Sequence, residues 1–146
     1  MKRLSLITAM AIATIAAFAQ EKKQITSPDG RLTVTLYNEG GLAQYDVNYD
    51  GKQMLTRSSL GLRTNVGDFS KELKLVSVSE KSTEESYQIR TSKRKDVSRK
   101  SNDVSLKFEN EQGNAMVVDF SVSDNDIAFR YTLQSLKKGN SKCAVV

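Results

Sequence analysis

Two short stretches of this chain carry residue types that could work as a nucleophile and its base. Ser123-Asp124-Asn125 and Ser135-Leu136-Lys137-Lys138 match two short motifs of serine β-lactamases. They stand in the wrong order and lie too close together, and no helical pattern holds the second. Both therefore read as polar turns. Asp124-Asn125-Asp126 offers the oxygen ligands that calcium takes, but it lacks the Gly and the distant Glu of an EF-hand loop. It reads as a solvated turn. Glu84 and Glu85 are adjacent, and on a strand adjacent side chains point to opposite faces. They cannot both flank one glycosidic bond. Arg90, Lys93, Arg94, Lys95, Arg99 and Lys100 form a basic run with no interleaved aromatics, broken by Asp96. It reads as a solvated loop or hairpin rather than a nucleic-acid patch.

Sugar binding would call for aromatic platforms, and Trp is absent. Tyr45 and Tyr49 share a face with Val47, which places them in a core or at its margin. Arg130 alternates away from Phe129 and Tyr131, so it belongs on a polar face beside a carboxylate. The chain of 146 residues contains no His and one Cys. That excludes a Ser–His–Asp triad, a Cys–His pair, His-based metal sites and any thiolate cluster. With 27% charged and 38% hydrophobic residues, the balance is that of a soluble globular domain. No residue stands out as catalytic, cofactor-binding or metal-ligating.

The elements that must position these residues are strands. Leu32, Val34 and Leu36 alternate with Thr33, Thr35 and Tyr37; Ala43, Tyr45, Val47 and Tyr49 alternate with Gln44, Asp46 and Asn48. Period-two alternation puts one face in a core and the other in water. Asp50-Gly51 is the turn pair of a tight hairpin, and residues 52–55 are its return strand. Further strands are predicted over 60–64, 73–79, 87–91, 104–108, 115–122 and 127–133. The apolar phase slips within Leu73, Leu75, Val76 and Val78, which predicts a bulge. Turn signals separate the runs, and no helical period is sustained after residue 20. The expected fold is all-β, an antiparallel β-sandwich.

The first residues read as a secretory signal peptide. Lys2 and Arg3 precede an apolar run to Phe18, and Ala17-Phe18-Ala19 is a small-x-small site before polar Gln20. Cleavage is expected between Ala19 and Gln20. The run is shorter than the ~20 residues of a spanning helix, and no nearby Cys supports a lipid anchor. Removal of residues 1–19 leaves 127 of the 146 and two fewer positive charges, taking the net charge from +5 to +3. Residues 20–146 then form the single domain. Lys142-Cys143-Ala144-Val145-Val146 reads as the opening of another strand, so the sandwich is expected to be partial.

Ile25-Thr26-Ser27-Pro28-Asp29-Gly30 followed by Leu32 resembles the opening of the N-terminal domain of glycoside hydrolase family 97. The likeness continues through Tyr45-x-Val47-x-Tyr49-Asp50-Gly51-Lys52, Ser59-Leu60-Gly61-Leu62 and Lys93-Arg94. It ends in Asn125-Asp126-Ile127-Ala128-Phe129-Arg130-Tyr131, similar to the family's Asp-Gly-x-x-Phe-Arg-Tyr strand. The family comprises exported, calcium-dependent α-glucosidases and α-galactosidases. They join an N-terminal β-super-sandwich to a (β/α)₈ barrel and a C-terminal β-domain. The resemblance implies a non-catalytic N-terminal fragment whose partner is the downstream barrel, with carbohydrate as a possible ligand. Nucleic acid is not an expected partner, nor is a membrane once the signal is removed. Catalytic carboxylates and calcium ligands lie further downstream in the family, so none is carried over and no cofactor is expected in this chain. The location implied is the periplasm or the exterior. The alternative is a free-standing exported sandwich that binds a glycan or a protein. In a partial sandwich, the inner faces of 32–36, 116–122 and 127–133 would lack some of their cover.

Overall fold

The computed structural model describes residues 22–88, 96–134 and 144–146. The proposed signal peptide and its cleavage point lie outside these residues. So do Arg90, Lys93, Arg94, Lys95, the Ser135–Lys138 motif and Cys143.

The described residues form strands and turns only. The first sheet is a meander of β1 (Lys22–Thr26), β2 (Leu32–Glu39), β3 (Leu42–Tyr49) and β4 (Lys52–Ser59), paired in that order and antiparallel throughout. Two two-residue turns set its register. Gly40-Gly41 joins β2 to β3, and Asp50-Gly51 joins β3 to β4. Asp50 and Gly51 both have positive φ, 49° and 75°, which is the turn whose twist matches that of the flanking strands. Gly41 is also a point of close approach. A Cβ there would lie 2.9 Å from the Glu72 Cα, and Leu73 N–H donates to the Gly41 carbonyl at 2.9 Å.

After β4 the chain crosses to the second sheet through a small hairpin, β5 (Arg63–Thr64) and β6 (Gly67–Asp68). The second sheet is again a meander: β7 (Lys74–Gln88), β8 (Asp96–Glu109), β9 (Ala115–Val122) and β10 (Ile127–Gln134). The two meanders pack face to face as a β-sandwich. Leu32, Val34, Leu36, Ala43 and Val47 of the first meet Val104, Leu106, Phe108, Met116, Val118 and Phe120 of the second. Leu60, Phe69 and Leu73 join the same core from the crossover. The alternation in β9 is complete: Met116, Val118, Phe120 and Val122 are buried, and the residues between them are half-buried.

The expected strands mostly appear, with differences in extent: the return strand expected over 52–55 runs to Ser59, and the one expected over 104–108 starts at Asp96. The strand expected over 60–64 shrinks to Arg63–Thr64, because Leu60 turns into the core while its N–H bonds to the Ala43 carbonyl at 2.8 Å. The separate strands expected at 73–79 and from Tyr87 are one strand, β7. The polar residues between them pair in continuous register with β8, as in Ser82 with Asn102 and Glu84 with Lys100. The strand Lys22–Thr26 was not expected, since Ile25 is its one buried residue. The slip at Leu75-Val76 is a bulge, with the register shifting between Leu75 and Ser77. The expectation of uncovered inner faces fails for β2 and β9, whose apolar residues are buried. It holds in part for β10, where Phe129 remains 43% exposed. The last residues make one bridge, Val145 to Thr64.

Candidate functional surface

The outer face of the second sheet carries a groove of about 430 Å³, lined among others by Lys81, Glu85, Asp103, Asp119, Ser121 and Arg130. Its shape follows from strand parity. Opposed residues of an antiparallel pair share a face, so Lys81 on β7 stands beside Asp103 on β8 and Ser121 on β9. Small side chains, Ser105, Ser121 and Ala128, line it together with the long charged ones.

Two of the carboxylates here, Asp103 and Asp119, are already engaged. Asp103 accepts from Thr83 Oγ1 at 2.6 Å and Ser101 Oγ at 3.0 Å. Partial burial works to raise its pKa, but hydrogen bonds from Ser121, Thr83 and Ser101, with Lys81 nearby, outweigh burial and hold it below the usual value. Asp119 accepts from Ser105 Oγ at 2.5 Å and pairs with Arg130 at 3.1 Å. Arg130 thus sits on the polar face beside a carboxylate, as its alternation with Phe129 and Tyr131 predicts. Such an array presents donors and acceptors on a fixed frame. It suits polar contact with another molecule or another part of a larger one.

The other residues singled out from the sequence fall into structural roles. Ser123, Asp124 and Asp126 form the β9–β10 turn. The Asp124 carboxylate accepts the Asp29 N–H at 2.9 Å, which ties this turn to the β1–β2 turn of the other sheet. Asp29 itself is held down to about 2, first by the Ser27 hydroxyl and then by the Arg31 side chain and backbone. Arg99, the first described member of the basic run, bonds to Ser123 at 3.0 Å and Asp126 at 3.2 Å. Lys100 pairs with Glu84 at 3.1 Å. Glu85 stands opposite Arg99, so Glu84 and Glu85 do point to opposite faces.

Tyr45 lies between the sheets, 5.7 Å from the Phe120 ring and 5.8 Å from the Phe129 ring. Phe129 and Tyr131 extend this group. Tyr49 lies under the Arg31 guanidinium at 5.2 Å. Both are core-margin residues, as expected. Sequence reasoning missed Asp103, Ser105, Asp119 and Ser121, the middle of the groove. The polar half of each alternating strand was the available signal. Among the described residues, no three acidic, Cys or His side chains converge as metal ligands.

A family model described as Glycosyl-hydrolase 97 N-terminal matches residues 25–146. A retaining alpha-galactosidase of Bacteroides thetaiotaomicron is 27% identical over 138 residues, which are 94% of this chain and 20% of that protein. Among solved structures, a beta-arabinopyranosidase superposes with a TM-score of 0.78 at 39% identity, over 84% of this chain and 20% of the other. A Glycoside Hydrolase Family 97 enzyme from a Pseudoalteromonas species, in complex with panose, superposes with a TM-score of 0.76 at 25% identity, over 84% and 19%. The chain therefore spans about one fifth of the length of the relatives it matches.

Proposed function

This chain belongs to the glycosyl-hydrolase 97 family through its N-terminal domain, and on that premise we propose that it is a non-catalytic, exported β-sandwich domain. Its task is to pack against a (β/α)₈ catalytic barrel and help shape the sugar cleft of an α-glycosidase. The observation that carries this reading is the pairing of extent and share. The family match runs over nearly all of the described sandwich, yet that sandwich is a fifth of each enzyme it resembles. The chemistry supports it. Glycoside cleavage canonically uses two carboxyl groups about 5–9.5 Å apart across the scissile bond, one of them tuned to act as an acid. Asp103 is shifted the other way, and Asp119 is tied to Arg130. We place the calcium of the family with the catalytic portion.

The test is a hybrid enzyme in which residues 22–146 of this chain replace the corresponding domain of the beta-arabinopyranosidase. The hybrid is expected to be active and the domain-deleted enzyme folded but inactive. The full chain alone is expected to leave aryl α-glucosides and α-galactosides intact with calcium present. Turnover by the chain alone, or a hybrid no better than the deletion, overturns the reading.

A further inference from the structure

We propose that the outer face of the β7–β8 arm is the surface through which this domain grips the catalytic portion of its enzyme; the inference rests on the functional reading above. β7 and β8 run for 15 and 14 residues, whereas β2, β3, β4, β9 and β10 run for 8. β9 pairs with β8 only from Asn102 onward. Residues 83–88 and 96–101 therefore leave the second sheet as a two-stranded ribbon. At ~3.4 Å per residue it reaches roughly 20 Å past the last rung shared with β9. An isolated two-stranded ribbon is marginal in water. This one buries little of its own: β7 is exposed over almost all of this stretch, and on β8 only Ser101 is buried, with Val97 and Arg99 half-buried. It adds nothing to the core that Phe108 and Phe120 define.

Its two faces differ. One presents Glu84, Ser86 and Gln88 opposite Lys100, Ser98 and Asp96, all polar. The other, outer face carries an apolar pair at its far end: Tyr87, 50% exposed, directly opposite Val97. From there Glu85 and Arg99 lead back to the groove of Lys81, Asp103 and Arg130. The result is one continuous strip with an apolar end and a hydrogen-bonded polar base. Interfaces between domains of one chain are of this mixed, largely polar kind. A membrane or an obligate dimer would call for a broader apolar surface. The four fifths of each relative that this fold does not account for supply the occupant.

The experiment uses the full chain and the beta-arabinopyranosidase lacking its own N-terminal domain, mixed and followed by titration calorimetry. Tyr87→Ser with Val97→Ser is expected to weaken binding by about tenfold or more, the loss typical of truncating an interface anchor. The urea midpoint of the chain itself should not move. Glu84→Ser with Lys100→Ser, on the other face, should leave binding unchanged. Equal binding by the unaltered chain and the Tyr87/Val97 variant overturns this inference and leaves the functional reading standing. No binding by the unaltered chain overturns both. A full chain that is dimeric until Tyr87 and Val97 are changed assigns the strip to a second copy, and also overturns it.

Discussion

One hairpin, β7–β8, supplies both a buried and a largely exposed part of the second sheet. In its proximal half, Val104, Leu106 and Phe108 alternate into the core and are at most 3% exposed. In its distal half, the same two strands keep the same hydrogen-bond ladder, but apart from the Tyr87–Val97 pair both faces are polar. The backbone geometry is shared, so what differs is what the side chains meet. A strand pair gains stability from a covered apolar face more than from its ladder, because ladder bonds replace bonds to water. The sandwich half is thus expected to hold the stability of the domain, and the arm to hold little of it.

The largest expected effect tests the sandwich half. Phe120 is 1% exposed, lies opposite Val104 on β8, and packs on Tyr45 and Phe129. Phe120→Ala removes its buried surface and leaves a cavity between the sheets, at a cost of about 3–5 kcal/mol. Net stabilities of single domains run at about 5–15 kcal/mol, so the variant should lose much or all of its cooperative unfolding transition in urea. A loss under about 1 kcal/mol would mean that the site repacks freely and that the two halves are less unlike than their burial implies.

The contrast between the halves also marks how much could be read in advance. The sandwich was legible because Leu32, Val34 and Leu36, and again Met116, Val118 and Phe120, write its inner faces in period two. The Asp50-Gly51 hairpin was legible because few residues tolerate positive φ. The arm was not, because Glu80 to Ser86 carries no apolar alternation; its pairing lies in cross-strand partners such as Glu84 with Lys100, which are known only once the register is known. The same limit hid the groove. Asp103, Asp119 and Lys81 lie on three strands and become neighbours only through pairing.

A smaller effect concerns the seam between the sheets, and it depends on pH. Asp29 anchors the β1–β2 turn through Ser27 and Arg31, and its backbone N–H meets Asp124 from the other sheet. Its pKa is lowered from 3.8 to about 2. A depressed carboxylate contributes stability that is fully present well above its unfolded pKa and is lost as pH falls through the folded one. The urea midpoint of the chain should therefore fall between about pH 4 and pH 2, and Asp29→Asn should flatten part of that fall while lowering the midpoint at pH 7. An acid limb identical in the two proteins would show that Asp29 does not link the seam to pH.

The smallest effect belongs to the arm, and it is the sharpest check on the comparison. Glu84 and Lys100 pair at 3.1 Å across the ribbon, and both side chains are well over half exposed. Water screens the attraction and two long side chains must be held in one geometry, so exposed pairs contribute about 0–1 kcal/mol. In a double-mutant cycle of Glu84→Ala and Lys100→Ala, the coupling should fall within about 0.5 kcal/mol of zero and vanish in high salt. Each single variant should unfold at nearly the urea midpoint of the unaltered chain, in contrast to Phe120→Ala. If either costs as much as about 1.5 kcal/mol, more than a screened surface pair can supply, the arm unfolds with the core as one cooperative unit. The ribbon would then be a structural extension of the sandwich, held by contacts of its own rather than kept for a partner.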